Sequence, residues 1–486
     1  MADSQSFSSV AVIGAGPSGL SAVKALSEEN KFPTIKLFER RDRVGGTWLY
    51  DPKPDSFPAT TSITKPSTPR VSIPTSVPTF EDPAPEDETW RTGLYEYLDS
   101  NVGASAMEFT YKSIPKVNSA LSVRRFGSAN PTRPYKVVAG YLEDLFTKYL
   151  HLVTFNTTLE RLEKKNGKWV LTLRRSGVLY RGERKDYWWT ETFDAVVIAS
   201  GHYSIPFIPN IPGIEEFHET YPNKLEHSKA YRSRDDYVGK TVVVVGGSVS
   251  ASDIVLDIHT VAKQPVYVSQ RGLNANPALD NVWKIPGVEK KPYITKLSTE
   301  NGGTVEFSDG TWVSNVDKVY FATGYRLSYP FIQPDNPVTP QNRLAGFYQH
   351  IFKIGDPSLT VIGQVRAALS FRNYEYQAVA VARVLAGRGT LPSIAEQQAW
   401  ESERLKVKGD THIFHTIGPD FASYFTGLRN IAGPPSEDSE AYELPEWDDA
   451  WAMKAFAVLQ LKDEYVRKIS GGNSVAAEGN KLLAKL

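Results

Sequence analysis

The sequence predicts an α/β protein made of two parallel-sheet units, the second inserted in the first, with a helical extension at the C-terminus. Three observations predict it. A short apolar strand runs into a glycine turn and a helix within residues 10–26. The same strand–turn–helix order returns within residues 241–251. Beyond residue 393, helical and aromatic spacing replaces the strands.

Taken in order, residues 10–13 are a run of Val, Ala, Val and Ile, the pattern of a short buried strand. Gly14-Ala-Gly-Pro-Ser-Gly19 is the turn, and Leu20 to Leu26 carry helical spacing. Residues 34–38 form the next strand, which ends at Glu39. Residues 51–89 break the pattern. Nine prolines lie there among Ser, Thr and Asp, which favours an extended excursion over the surface. A helix is predicted over 141–150, then hairpin strands at 159–162 and 169–173 about the turn Asn166-Gly167. Residues 193–199 are a buried strand ending at Ser200-Gly201. The second unit opens with a strand at 241–245. Gly246-Gly-Ser-Val-Ser-Ala251 is its turn, and 266–269 is the partner strand, ending near Arg271. Strands at 316–322 and 359–362 and a helix over 373–385 return the chain to the first unit. Helices over 397–405 and 447–466 and a loose tail, 470–486, complete it. The expected division is 1–205 with 326–394, then 206–325 inserted, then 395–486.

Composition excludes several classes. Lys and Arg number 55 and Asp and Glu 55, so the chain has neither the basic excess of a nucleic-acid binder nor a charge tether to an anionic membrane. No apolar run is long enough to predict a membrane span. The opening residues, MADSQSFSSV, lack the charged and apolar regions of a signal peptide. The expected address is therefore cytoplasmic. The terminal Ala484-Lys485-Leu486 varies the S-K-L terminus and keeps a peroxisomal address open. With no cysteine, disulfides, thiolate metal sites, cysteine nucleophiles and C-x-x-C redox pairs are all excluded. The eight histidines show no H-E-x-x-H spacing, so no metal centre is expected.

The two turns carry the chemistry. Gly14, Gly16 and Gly19 have G-x-G-x-x-G spacing between a strand and a helix, and Glu39 ends the next strand. Gly14 makes the tight turn, Gly16 lets backbone approach a pyrophosphate, and Gly19 lets helix and strand pack closely. The helix N-terminus then faces phosphates, and Glu39 accepts hydrogen bonds from a ribose diol. In the second turn, Ser248 stands where the middle glycine would sit and Ala251 at the third position. Arg271 follows the partner strand, where a cation meets a 2′-phosphate, which points to NADP(H). Both units are thus expected to be Rossmann-like dinucleotide-binding domains, together a flavoprotein reduced by a nicotinamide.

The chain resembles the flavin-containing monooxygenases, the fungal branch most closely, over residues 10–400. The segments that carry the resemblance occur in family order. They are Phe38-Glu-Arg-Arg41, Val44-Gly-Gly-Thr-Trp48, Leu94-Tyr-Glu-Tyr-Leu-Asp-Ser-Asn101, Ser200-Gly-His-Tyr203, Glu226-His-Ser-Lys-Ala-Tyr-Arg232, Ala322-Thr-Gly-Tyr325, Tyr348-Gln-His-Ile-Phe352 and Asp356-Pro-Ser-Leu-Thr360. One signature departs. The family's F-x-G-x-x-x-H-x-x-x-(Y/F) reads here from Tyr221 through Asn223 to His227 and Tyr231. Related Baeyer–Villiger enzymes carry Trp-Pro after that histidine. Tyr231-Arg232 here favours heteroatom oxidation over ketone insertion.

The resemblance implies FAD as bound flavin, NADPH as reductant, O₂ as oxidant and a C4a-hydroperoxide that transfers one oxygen atom. The substrate implied is a small amine or thioether. The alternatives are a Baeyer–Villiger oxygenase on ketones and an NADPH oxidase-like flavoprotein. By resemblance Asn101 is the catalytic residue beside the flavin. Gly14, Gly16, Pro17, Ser18, Gly19, Glu39, Arg40, Gly46, Thr47, Trp48, Asn101 and Gln364 fall to FAD. His227, Gly246, Ser248, Ser250, Arg271, Thr323 and Gly324 fall to NADP(H). The helices beyond 395 leave a homodimer open as an assembly.

Overall fold

The computed structural model describes residues 7–58, 71–274 and 277–471. The tail beyond residue 471, with Ala484-Lys485-Leu486, lies outside the described residues. No helix among the described residues is long and apolar enough to cross a membrane.

The apolar run of the first strand, Ser9–Ile13, reflects burial on both faces and both edges. It pairs in parallel with Thr34–Phe38 on one side and Ala195–Ile198 on the other. Val153–Thr154 and Leu359–Val361 extend this sheet in parallel, and two short antiparallel strands complete its seven. The helix Pro17–Glu28 packs against Ser370–Leu385 over one apolar core that includes Val12, Leu20, Val23 and Val381.

These two helices are also joined by charge. Glu29, just past the end of the first, receives Arg383 Nε at 3.3 Å and Arg388 Nη1 at 2.5 Å. Arg383 is 0% exposed, so its counter-charge has no substitute in water. Glu29→Ala leaves that guanidinium buried without its carboxylate and should cost about 3 kcal/mol. A urea or thermal melt reads this as a lowered midpoint, and an unchanged midpoint contradicts it.

The second sheet is wholly parallel. Its order is Leu225–His227, Lys318–Phe321, Thr241–Val245, Lys263–Ser269 and Val288–Lys291. The helix Val249–Ile258 springs from its second glycine turn. The short strands Ile205–Pro206 and Tyr325–Arg326 pair antiparallel. Mixed α/β architecture with two parallel sheets and a helical C-terminal region is thus the fold, as the sequence predicts.

Several elements differ from the sequence-based expectation, among them the following. The proline-rich stretch is not only a surface excursion, although residues 59–70 lie outside the described residues. Thr79–Glu81 adds an edge strand beside Glu183–Phe193, and Phe80 stacks on Tyr180 at 4.0 Å. Phe57 packs against Phe321 of the second unit's core. Composition averages over a segment, whereas one packed, half-buried ring decides where it docks. The strand Glu183–Phe193 and the helix Phe421–Ala432 were also not anticipated. The last helix, Asp449–Ile469, spans both units. Ala455 lies in the first unit's core and Val466 in the second's.

Candidate active site

The first glycine turn opens onto a cavity of about 480 Å³, within the range of cofactor sites. Gly14, Gly16, Pro17 and Ser18 form one wall, and Glu39, Arg40, Gly46 and Thr47 continue it. Gly16 precedes the helix, and no side chain caps the first turn. The N-terminal N–H groups and the positive helix end are therefore available to an anion. Gly46, at φ +59°, lies so close that an added Cβ would stand 2.6 Å from Gly16 Cα. Gly19 is not part of the wall. A Cβ there would stand 1.9 Å from Gly14 O, so its role is the contact between helix and turn.

Glu39 braces the turn from the other side. Its Oε2 accepts Ala15 N–H at 2.6 Å and its Oε1 accepts Arg41 N–H at 2.9 Å. Each oxygen keeps a lone pair towards the cavity. Arg40 donates to Thr89 O at 3.2 Å, and Arg41 to Gly46 O at 2.7 Å. Burial, and then the charge of Arg40, lower Arg41 to about 10.

Two buried amides outside the cavity wall are unsatisfied. Gln364 is 2% exposed and Asn373 1%, and neither side-chain oxygen nor nitrogen has a partner among the described residues. Asn373 lies one helical turn before Gln377, whose Oε1 accepts Gly363 N–H at 2.8 Å. Both amides thus belong to the neighbourhood of Gly363, which lines the cavity. Buried polar groups of this kind are satisfied in nearly all proteins, by protein, ordered water or a bound ligand. A flavin dinucleotide fits this set: a glycine cradle and helix end for pyrophosphate, a carboxylate for ribose, and amides for the pyrimidine edge of the ring.

Several wall residues were not singled out from the sequence. His202 Nδ1 lies 2.9 Å from Gly363 O, and burial lowers this histidine to about 4, leaving it neutral. Tyr203, Glu160, Arg174 and Arg326 also line the cavity. Ser200-Gly-His-Tyr203 was a visible signal, while Arg174 stood in a strand with nothing to mark it.

Trp48 is half-buried, edge-on to Phe371 at 6.2 Å, and packs against the first core without lining the cavity. Asn101 is exposed, makes no side-chain hydrogen bond among the described residues and is not part of the cavity wall. At the second turn, Gly246 takes φ +136°, and a Cβ would stand 2.5 Å from Ala322 O. Ser248 and Ser250 are exposed at the N-terminus of Val249–Ile258, with no side-chain cap there. Arg271 is exposed past the end of Lys263–Ser269.

Two of the residues expected to bind a cofactor are engaged within the chain. His227 is buried with both ring nitrogens taken by the chain: Nε2 lies 2.9 Å from Gly324 O, and Nδ1 accepts Lys229 N–H at 3.1 Å. Burial lowers it to about 3, so it is a neutral brace for Gly324. Thr323 likewise donates its hydroxyl to Phe207 O. The ring nitrogens of His227 are thus spent within the chain, whereas half-buried Thr323 keeps acceptor lone pairs on its hydroxyl.

A family model described as pyridine nucleotide-disulphide oxidoreductase matches residues 8–370. The chain is 30% identical to flavin-containing monooxygenase FMO GS-OX4 of Arabidopsis thaliana, over 98% of this chain and 94% of that protein. The chain belongs to the flavin-containing monooxygenase family. It is also 28% identical to trimethylamine monooxygenase of Methylocella silvestris, over 98% of this chain and 96% of that protein. The solved structure of S-allyl-L-cysteine S-oxygenase from Allium sativum superposes with a TM-score of 0.72 at 25% identity, over 98% of this chain and 99% of that one. As a flavin-containing monooxygenase the chain uses FAD and NADP(H). The dithiol chemistry named in the family model's description has no residue to run on, because the chain has no cysteine.

Proposed function

We propose that this flavin-containing monooxygenase oxidises NADPH and transfers one atom of O₂ to the nitrogen of a small amine or the sulfur of a small thioether. The observation that carries the reading is the coexistence, in a chain without thiols, of two glycine turns with different endowments. The first has a walled cavity with a bracing carboxylate and open amides. The second is open, with exposed serines and an exposed arginine. Relatives named as an S-oxygenase and a trimethylamine monooxygenase support sulfur and nitrogen as targets. Tyr231-Arg232 supports heteroatoms over ketones.

In this reading, Gly14, Gly16, Pro17 and Ser18 receive the FAD pyrophosphate, Glu39 its ribose, and Gln364 with Asn373 the ring edge. Bound FAD supplies the two-electron and oxygen chemistry. Asn101, exposed and outside the cavity wall, is assigned to the oxygen-transfer step on the family resemblance alone. Gly246, Ser248 and Ser250 take the NADP(H) phosphates. We assign 206–325 to the NADP(H) unit, and the antiparallel pairing of Ile205–Pro206 with Tyr325–Arg326 at its two ends supports this. An oxygen-uptake screen with NADPH and amines, thioethers and ketones tests the reading. Uptake stimulated by ketones alone overturns it.

Arg271 is assigned to the 2′-phosphate. A charge-assisted hydrogen bond contributes about 1.5–3 kcal/mol, or roughly 10- to 100-fold in affinity. Arg271→Asp should therefore raise the KM for NADPH by at least about tenfold and leave that for NADH nearly unchanged. Equal effects on both nucleotides refute the assignment.

A further inference from the structure

The helix that springs from the second glycine turn, Val249–Ile258, carries Asp253 and Asp257. Four residues apart, they share one face. Both are engaged by distant parts of the chain. Asp257 is 4% exposed. Its Oδ2 accepts the hydroxyls of Tyr231 at 2.6 Å and Tyr97 at 2.8 Å, and its Oδ1 accepts Arg125 Nη2 at 3.0 Å. Asp253 Oδ1 accepts Lys462 Nζ at 2.5 Å. Tyr97 lies four residues before Asn101 in the Leu94-Tyr-Glu-Tyr-Leu-Asp-Ser-Asn101 segment. Arg125 is on the helix Ala120–Phe126. Lys462 is on the C-terminal helix Asp449–Ile469, whose earlier part is seated in the first unit's core.

We infer that Asp253 and Asp257 are positioning residues that set the register between the nicotinamide-nucleotide turn and the Asn101 segment. The inference deepens the cofactor reading above and rests on it. A helix is stiff, and at 1.5 Å per residue the two carboxylates stand about 6 and 12 Å from its first residue. Fastening them fixes the turn at the helix N-terminus. The fastenings lead to the segment bearing Asn101 and to a helix anchored in the flavin unit. The reaction they serve passes one hydride, two electrons with a proton, from NADPH to FAD, leaving NADP⁺ and FADH⁻. An ångström of misplacement in such a step costs about 100-fold.

The test is anaerobic stopped-flow reduction of the holoenzyme by NADPH, with peroxide released per NADPH measured in air. Asp257→Asn keeps the shape of the side chain and removes the charge opposite Arg125. It should slow flavin bleaching by about 10- to 100-fold, with FAD content unchanged, and raise the peroxide yield. Lys462→Asp should act in the same direction, and adding Asp253→Lys should restore most of the loss. Where Asp257→Asn does not fold, Tyr97→Phe breaks one fastening and keeps the ring. A melting midpoint that falls while bleaching rate and peroxide yield stay at wild-type values makes these bonds structural only, and overturns the inference. Wild-type protein that NADPH does not bleach overturns the cofactor reading and this inference with it. Wild-type bleaching matched by every variant overturns this inference alone.

Discussion

Gly19→Ala should yield protein that holds almost no FAD. The added Cβ would stand 1.9 Å from Gly14 O and 3.0 Å from Gly14 C. Both are backbone atoms of the turn, so no side chain can swing aside. Either the helix Pro17–Glu28 shifts off the sheet or the turn opens, and each moves the helix end away from the pyrophosphate. Overpacking of this kind costs about 1–3 kcal/mol, occasionally more. Loss of the aligned N–H groups adds to the loss in affinity. Flavin absorbance per protein should fall to about a tenth of wild type or less, with a lower melting midpoint. Gly140, inside the helix Tyr135–Phe146, is the control. No atom would lie within 4 Å of its added Cβ. Alanine there should stabilise by about 0.5–1 kcal/mol and leave the flavin in place. A full complement of FAD in Gly19→Ala contradicts the assignment of the first turn.

Asn101→Ala should give the opposite signature: a well-folded, yellow enzyme that wastes NADPH. Its side chain is exposed and makes no hydrogen bond to the described residues. Removing it should change stability by no more than about 0.5 kcal/mol. If the amide stabilises the oxygen-transfer step, its loss should cost on the order of 100-fold in product turnover, the usual effect of removing one well-placed donor. NADPH oxidation continues, and hydrogen peroxide replaces oxygenated product. Product per NADPH equal to wild type removes Asn101 from the chemistry.

Local features of the fold were legible in the sequence because their causes are local. A strand buried on both sides must be apolar at its buried positions, as Val10 to Ile13 and Val242 to Val245 are. A turn that brings helix and strand into contact must lack side chains, as Gly14 and Gly19 do. The cavity wall at the first turn followed from those two constraints plus one carboxylate.

What escaped depends on partners far apart in sequence. Lys229 is 0% exposed and is held by Asp55 at 2.5 Å, Ser204 O at 3.0 Å and Thr89 O at 3.2 Å. All three ammonium protons are spent, and burial still lowers it to about 8. Nothing near Lys229 in the sequence announces Asp55, which sits in the stretch read as a surface excursion. The engagement of His227 escaped for a related reason. The motif shows a histidine at the right place, but only the fold shows that Gly324 O and Lys229 N–H occupy its nitrogens. The orphaned amide of Asn373 was invisible for the same reason. A helical asparagine looks ordinary until the space before it is seen to offer no partner.

The most direct test is oxygenation in an ¹⁸O₂ atmosphere by holoenzyme with NADPH and either a dialkyl thioether or a trialkylamine. The predicted result is a sulfoxide or N-oxide carrying one ¹⁸O atom, formed in proportion to NADPH consumed. NADPH consumption with both oxygen atoms recovered as hydrogen peroxide, and no labelled product from either substrate, would contradict it.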